Sequence, residues 1–357
     1  MVIDFKRNKI LLLFIGLVGG FSSCSRESSL GDEPNQEEEQ VSVSFLAKAT
    51  SADTPDDDLD NLIFRRNAQG EVVLCPSSSS LWVFNGQSYE KKQHLQVGSY
   101  HFAFTKGLQR TDSEIKGQEG NNCFLVENFD FHKDLTSYKI IHPNDGEYLK
   151  YPVTDLFLDA SSDSVNKIND LATDSKLKYS RTLVHAQGRL DLLFCRTDAS
   201  IYSAEPFNRI SSIQLDFSGI NSNCCLGTQE YSVPRKLALN YRSEELTAFN
   251  LEDYKSEFQD VEASVLEKME GWTEQNSRII KTKFFPSGNF DLKLTVTYVN
   301  GVVKSYDLNS LNVGRNRATL ILVYVKNEQM VISPDLSVVD KPLDFLTEAV
   351  GEDGFWN

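Results

Sequence analysis

Short runs in which apolar and polar residues alternate, each closed by turn residues, recur along this chain and leave it little choice but a β fold. In Val41-Ser42-Val43-Ser44-Phe45-Leu46-Ala47, Val43, Phe45 and Ala47 fall on one face at period two. Tyr100-His101-Phe102-Ala103-Phe104 does the same with three rings. Further strand-like runs are Leu59–Arg66, Glu71–Leu74, Leu81–Phe84, Gln93–Val97, Leu156–Leu158, Thr182–Phe194 and Ile210–Phe217. Lys283–Phe285, Phe290–Tyr298, Val302–Tyr306 and Arg317–Val325 complete the set. Asn67-Ala68-Gln69-Gly70 and Gly98-Ser99 read as turns, and Asn300-Gly301 as a two-residue type I′ hairpin turn. One segment breaks the pattern. Leu251, Tyr254, Phe258, Val261, Val265 and Met269 are spaced three or four apart, which predicts a single amphipathic helix. No period of a solenoid or propeller is present.

The region Thr111–Ser180 is less regular, and its polar stretch Ser161–Lys178 is read as a domain boundary. The expected organisation is two mainly antiparallel β domains in tandem, residues 41–178 and 179–357, with one or few short helices.

The N-terminus specifies export. Lys6, Arg7 and Lys9 precede the apolar run Ile10–Val18, and Gly19-Gly20-Phe21-Ser22-Ser23 leads into Cys24. That order is a secretory signal over residues 1–23. Nine apolar residues are too few to span a bilayer, which takes about 20. Small residues directly before a cysteine resemble a bacterial lipobox, with Phe21 in place of its usual Leu. Cys24 is then the lipid attachment site, tethering the chain to a membrane, and the new N-terminus. The alternative is an ordinary secreted protein with an incidental Cys24. Residues 24–40, with Glu37-Glu38-Glu39 and almost nothing apolar, read as a disordered acidic tether.

Charge removes one class of partner. The 36 basic and 51 acidic side chains give a net charge of −15, and loss of the signal, with three basic residues and one acidic, takes it to −17. Such a field repels phosphates, and the basic residues form no aromatic-interleaved patch, so nucleic acid is excluded. The six cysteines, five once Cys24 is acylated, form neither a disulfide framework nor a C-x-x-C pair.

No constellation for catalysis emerges. H-E-x-x-H, G-x-S-x-G, G-x-G-x-x-G and the Walker loop are all absent. Ser88-Tyr89-Glu90-Lys91 and Ser113-Glu114-Ile115-Lys116 fit S-x-x-K but lack the accompanying β-lactamase elements. His94, His101, His132, His142 and His185 are scattered. Asp53, Asp56, Asp57, Asp58 and Asp60 could offer oxygens to a hard cation, but the glycine and closing glutamate of a calcium loop are missing, so a solvated acidic loop is the better reading. Trp82, Trp272 and Trp356 could line a sugar platform or sit in cores. The chain is read as a non-enzyme, with no cofactor and no metal site.

Ordered motifs carry a family resemblance. Val43-Ser44-Phe45-Leu46-Ala47-Lys48 after an acylated cysteine and acidic tether, then Leu59-Asp60-Asn61-Leu62-Ile63-Phe64, resembles the start of a Bacteroidales fimbrillin. Leu95-Gln96-Val97-Gly98-Ser99-Tyr100-His101-Phe102 resembles the L-x-x-G-x-Y-x-F strand pair of that family. Arg181-Thr182-Leu183 resembles the start of its second domain. Phe285-Pro286-Ser287 and Leu311-Asn312-Val313-Gly314-Arg315-Asn316-Arg317-Ala318-Thr319 resemble its final strands. The resemblance implies two tandem transthyretin-like β-sandwich domains and a structural role in a surface pilus. It also implies, for stalk subunits, that an arginine-directed protease removes the first strand and that a neighbouring subunit's C-terminal strand fills the groove. This chain departs from the stalk pattern. Between Arg26 and Arg65 the only basic residue is Lys48, the one candidate for proteolytic maturation. Retention of the first strand and the lipid suits an anchor or accessory subunit, with other pilus subunits as partners by strand addition and the outer membrane as its support. The alternative reading is a surface lipoprotein that binds a glycan or host ligand.

Overall fold

The alternating runs become the strands of four β-sheets in the computed structural model. It describes residues 40–48, 59–75, 82–84, 88–110, 115–117, 125–127, 135, 138–152, 155–173, 177–179, 181–196, 207, 209–326, 329–340 and 343–344. The strands that frame the sites are β1 (Gln40–Lys48), β2 (Leu59–Arg66), β3 (Ser88–Gln96), β4 (Gly98–Lys106), β5 (Leu177–Tyr179) and β6 (Gln187–Arg196). They continue as β7 (Ile210–Cys225), β8 (Tyr231–Arg242), β9 (Gly288–Tyr298), β10 (Val303–Val313), β11 (Arg317–Lys326) and β12 (Gln329–Asp340). Helices among the described residues are short: α1 (Ser162–Asn166), α2 (Leu251–Ser256) and α3 (Ala263–Met269). The fold is all-β.

A four-stranded sheet runs in the order β5, β1, β3, Val83–Phe84. It shares a buried cluster with a seven-stranded sheet centred on β2 and β4: Val41, Val43, Phe45 and Leu95 meet Ile63, Tyr100, Phe102 and Phe104. The three rings of β4 point into this cluster, as period two requires, while Ala103 faces the opposite side. Farther along, a ten-stranded sheet containing β7, β8, β9 and β10 faces a second seven-stranded sheet containing β6, β11 and β12. Leu190, Leu192, Phe194, Ile321 and Val323 pack there against Ile213, Leu215, Phe217, Leu292 and Leu294. Residues at i and i+2 supply each face, so the core is written in the alternation itself.

The two regions join tightly. Leu62, Phe64 and Ala103 share a cluster with Tyr138, Ile140, Cys224 and Leu226 of the ten-stranded sheet and its approaches. The loop between β10 and β11 adds a polar clasp. Arg315 donates to the carbonyls of Leu158 and Asp159 and to the Gln229 side chain, and Asn316 Oδ1 accepts from His185 N at 3.3 Å. The clasp needs Gly188, where a Cβ would lie 2.4 Å from Val313 Cγ1 and 2.5 Å from the Gly314 carbonyl.

Two expectations need correction, and one stretch has more structure than its composition suggests. The helical spacing of Leu251–Met269 is not one helix. Asn250 caps α2, accepting from Glu252 N at 3.0 Å and Asp253 N at 3.2 Å, but Phe258–Val261 is a strand on the edge of β12 and α3 starts afresh after it. Tyr254, Phe258, Val265 and Met269 still reach one common cluster, so the ladder bonds of β12 are satisfied without loss of burial. The Asn300-Gly301 hairpin is a three-residue loop, not type I′. Gly301 N donates to the Tyr298 carbonyl and Tyr298 N to the Val302 carbonyl, both at 2.9 Å. Gly301 has φ +83°, whereas Asn300 is not among the positive-φ residues, so Val299 is the loop's first residue and Gly301 its bulge. Asn67 to Glu71 closes the same way, with Gly70 at φ +83°. Finally, the polar stretch Ser161–Lys178 carries structure: α1, the strand Asn169–Leu171 paired with β4, and the start of β5, with Val165 and Leu171 buried.

Candidate functional site

Period two makes β1 a strand, and its neighbours make it an inner one. It pairs antiparallel with β3 over nine residues, from Gln40 opposite Gln96 to Lys48 opposite Ser88. On its other side Val43, Ser44 and Phe45 pair in parallel with Leu177, Lys178 and Tyr179 of β5. Val41, Val43 and Phe45 are at most 2% exposed. Phe45 sits edge-on to Phe102 (centroids 5.3 Å apart) and Phe104 (5.7 Å) and stacks on Tyr179 at 6.0 Å. Burial also pushes the Tyr179 hydroxyl up to about 12.

The floor and walls of this groove come from other strands. Leu59 and Ile63 of β2, the β4 rings, Leu95, Leu171, Leu177 and Tyr179 all belong to the cluster around β1. Removing β1 would expose that apolar floor and the facing edges of β3 and β5 together, the arrangement a replacement strand would satisfy. Sequence reasoning found β1 but missed β5. Only Leu177 and Tyr179 mark that strand, and three residues are too few to show a period.

The other candidates lie apart. Cys24 lies outside the described residues, as do His132, Trp356 and Asp53, Asp56, Asp57 and Asp58. Lys48 ends β1, and the residues directly after it are outside the description. Asp60 is in β2 opposite Thr105. Among the described residues no group of three His, Cys, Asp or Glu could hold a metal ion, and no helix there is long and apolar enough to cross a membrane. Trp82, beneath Lys91 at 5.8 Å, packs on the β1 cluster, whereas Trp272 packs beside Tyr324 on another. They form no shared platform. Cys195 and Cys224 are buried among apolar residues.

The buried histidines set a pH dependence. His142 is fully buried and His185 lies between Phe157 and Phe284, with ring centroids 3.9 and 3.8 Å away. Burial pushes both down to about 3. As pH falls below 6.5 the unfolded chain takes up these protons and the folded one does not, so stability is lost on acidification, each histidine costing about 1.4 kcal/mol per pH unit. Asp159 acts in the opposite sense. Burial, offset in part by its 2.7 Å bond from Phe104 N and by Arg181 and Arg315, pushes it up to about 7. Between pH 4 and 7 the folded state keeps a proton the unfolded state has lost, so this group destabilises as pH rises. Asp191, also pushed up by burial, acts in the same sense as Asp159, so the histidine contribution is read by difference. Between pH 6.5 and 4.5 the urea midpoint of His142→Asn is expected to shift less in the acid-destabilising direction than that of the wild type, and parallel pH profiles would contradict this.

No protein-family profile matches the chain, and no curated protein does. Solved structures do. A polysaccharide-binding candidate from Bacteroides thetaiotaomicron is similar at 11% identity and TM-score 0.40, covering 85% of this chain and 98% of that one. A cell-adhesion candidate from Bacteroides uniformis is similar at 10% identity and TM-score 0.38, covering 86% and 99%. The tip fimbrial protein Mfa3 from Porphyromonas gingivalis, with a C-terminal truncation, is similar at 12% identity and TM-score 0.33, covering 85% and 100%. Fimbrial and adhesion proteins of Bacteroides and Porphyromonas are thus among the structures this chain is similar to.

Proposed function

We propose that this chain is a fimbrillin-type surface lipoprotein, an anchor or accessory subunit of a pilus assembled by β-strand addition. The observation that carries the reading is β1. A nine-residue strand sits between an antiparallel and a parallel partner and fills an apolar groove with Val41, Val43 and Phe45. Groove and strand together are what strand addition requires. The order of sequence motifs supports the family. The absence of arginine between Arg26 and Arg65 supports retention of β1. β12 pairs with β11 on one side and Phe258–Val261 on the other, within its own sheet, which favours an accessory subunit over one that donates this strand to a neighbour. In this reading the two regions are tandem transthyretin-like sandwiches, over residues 41–178 and 179–357.

Anchoring is the part most open to direct test. Cys24→Ser is expected to release the protein from the outer membrane and to abolish incorporation of a fatty-acid analogue in metabolic labelling. A wild-type protein that takes up no label would refute it.

A further inference from the structure

The polar outer face of the ten-stranded sheet holds a depression of about 420 Å³, built by irregularities that coincide on three adjacent strands. The β7–β8 register slips between Ser218 and Ile220, around Gly219 at φ +84°. The β9–β10 register slips beside it, between Phe290 and Leu292. On β10, Ser310 takes φ +57°, and its N–H donates to Asp291 Oδ1 at 2.9 Å. A positive φ is strained backbone for a non-glycine residue, and bulges bend strands and re-aim side chains.

The side chains around the hollow carry both signs. Asp216, Lys293 and Asp307 lie opposite one another on a single rung across β7, β9 and β10. Asp291 and Lys236 line the next level. Tyr148, half exposed, forms one wall, with Lys236 Nζ 5.9 Å from its ring centroid and 2.7 Å from Glu147.

We propose that this depression binds a neutral pyranose unit of a saccharide. Carboxylates accept sugar hydroxyls, the ammonium groups donate to them, and the Tyr148 ring offers an apolar face to the sugar's C–H groups. Three carboxylates against two ammonium groups, on a chain of net charge −15, disfavour an anionic ligand. The volume lies within the range of small-molecule sites. The inference does not depend on the pilus reading, since the depression is far in sequence from β1 and shares no residue with its groove.

Saturation-transfer NMR on the purified full-length protein, with lactose, maltose and cellobiose as probes and sialyllactose as the anionic comparison, tests it. At least one neutral disaccharide is expected to bind, with Tyr148→Ala and Asp216→Asn each weakening it tenfold or more at unchanged thermal midpoint. Asp307→Asn, on the edge strand, serves in place of either variant that fails to fold. Binding of none of the three neutral sugars, binding of sialyllactose alone, or binding that survives these substitutions would overturn the proposal.

Discussion

Phe45→Ala is expected to lower the unfolding free energy by about 3–5 kcal/mol, in the range for a large aromatic side chain removed from a packed core. The ring is fully buried, and three aromatic neighbours within 6.0 Å would line the space it leaves. Ser42→Ala, on the exposed face of the same strand, is expected to change stability by no more than about 0.5 kcal/mol. Urea unfolding of both variants separates the two faces of β1. A loss under about 1 kcal/mol for Phe45→Ala would mean that the groove does not depend on the strand that fills it.

Asp191→Ala is expected to cost about 3–5 kcal/mol, because it strips the partner from a largely buried guanidinium. Asp191 is fully buried on β6 and accepts from Arg189 Nε at 3.0 Å, Arg189 Nη2 at 3.1 Å and the Tyr254 hydroxyl at 2.8 Å. Arg189 Nη2 also donates to Glu257 Oε2 at 3.0 Å, and Lys281 pairs with the same carboxylate. The network fastens α2 to the sheet through Tyr254. Burial pushes the Asp191 carboxyl up while Arg189 opposes it. Asp191→Asn keeps hydrogen-bonding capacity without charge and is expected to cost less than Asp191→Ala. Equal urea midpoints for wild type and Asp191→Ala would show that the network adds nothing.

What was legible in the sequence was whatever period two could write. Val43 and Phe45 and the Tyr100, Phe102 and Phe104 stripe fall on the faces their spacing assigns. Where tertiary pairing decided the backbone, the local pattern misled. Leu251–Met269 has helical spacing, yet the edge of β12 draws its middle into a strand. The twelve-residue β8 is the exception, since Leu237, Leu239 and Tyr241 alternate at period two after Pro234 and yet are not among the strand-like runs. The proline is tolerated beside the β7 bulge, where the residue facing it is Asn221. Short elements such as β5 and long-range groups such as Asp191 with Tyr254, or Arg315 with Gln229, leave no local trace. Their partners lie tens of residues away, and only the fold brings them together.

The central claim is that the mature chain keeps β1 and its lipid. Mass spectrometry of the N-terminal peptide, on protein recovered from the cell surface, tests it most directly. A peptide that begins at acylated Cys24 and runs into Val41–Lys48 is expected. A mature N-terminus at Ala49, after cleavage at Lys48, would contradict it and make this chain a polymerising subunit whose groove awaits a neighbour's strand.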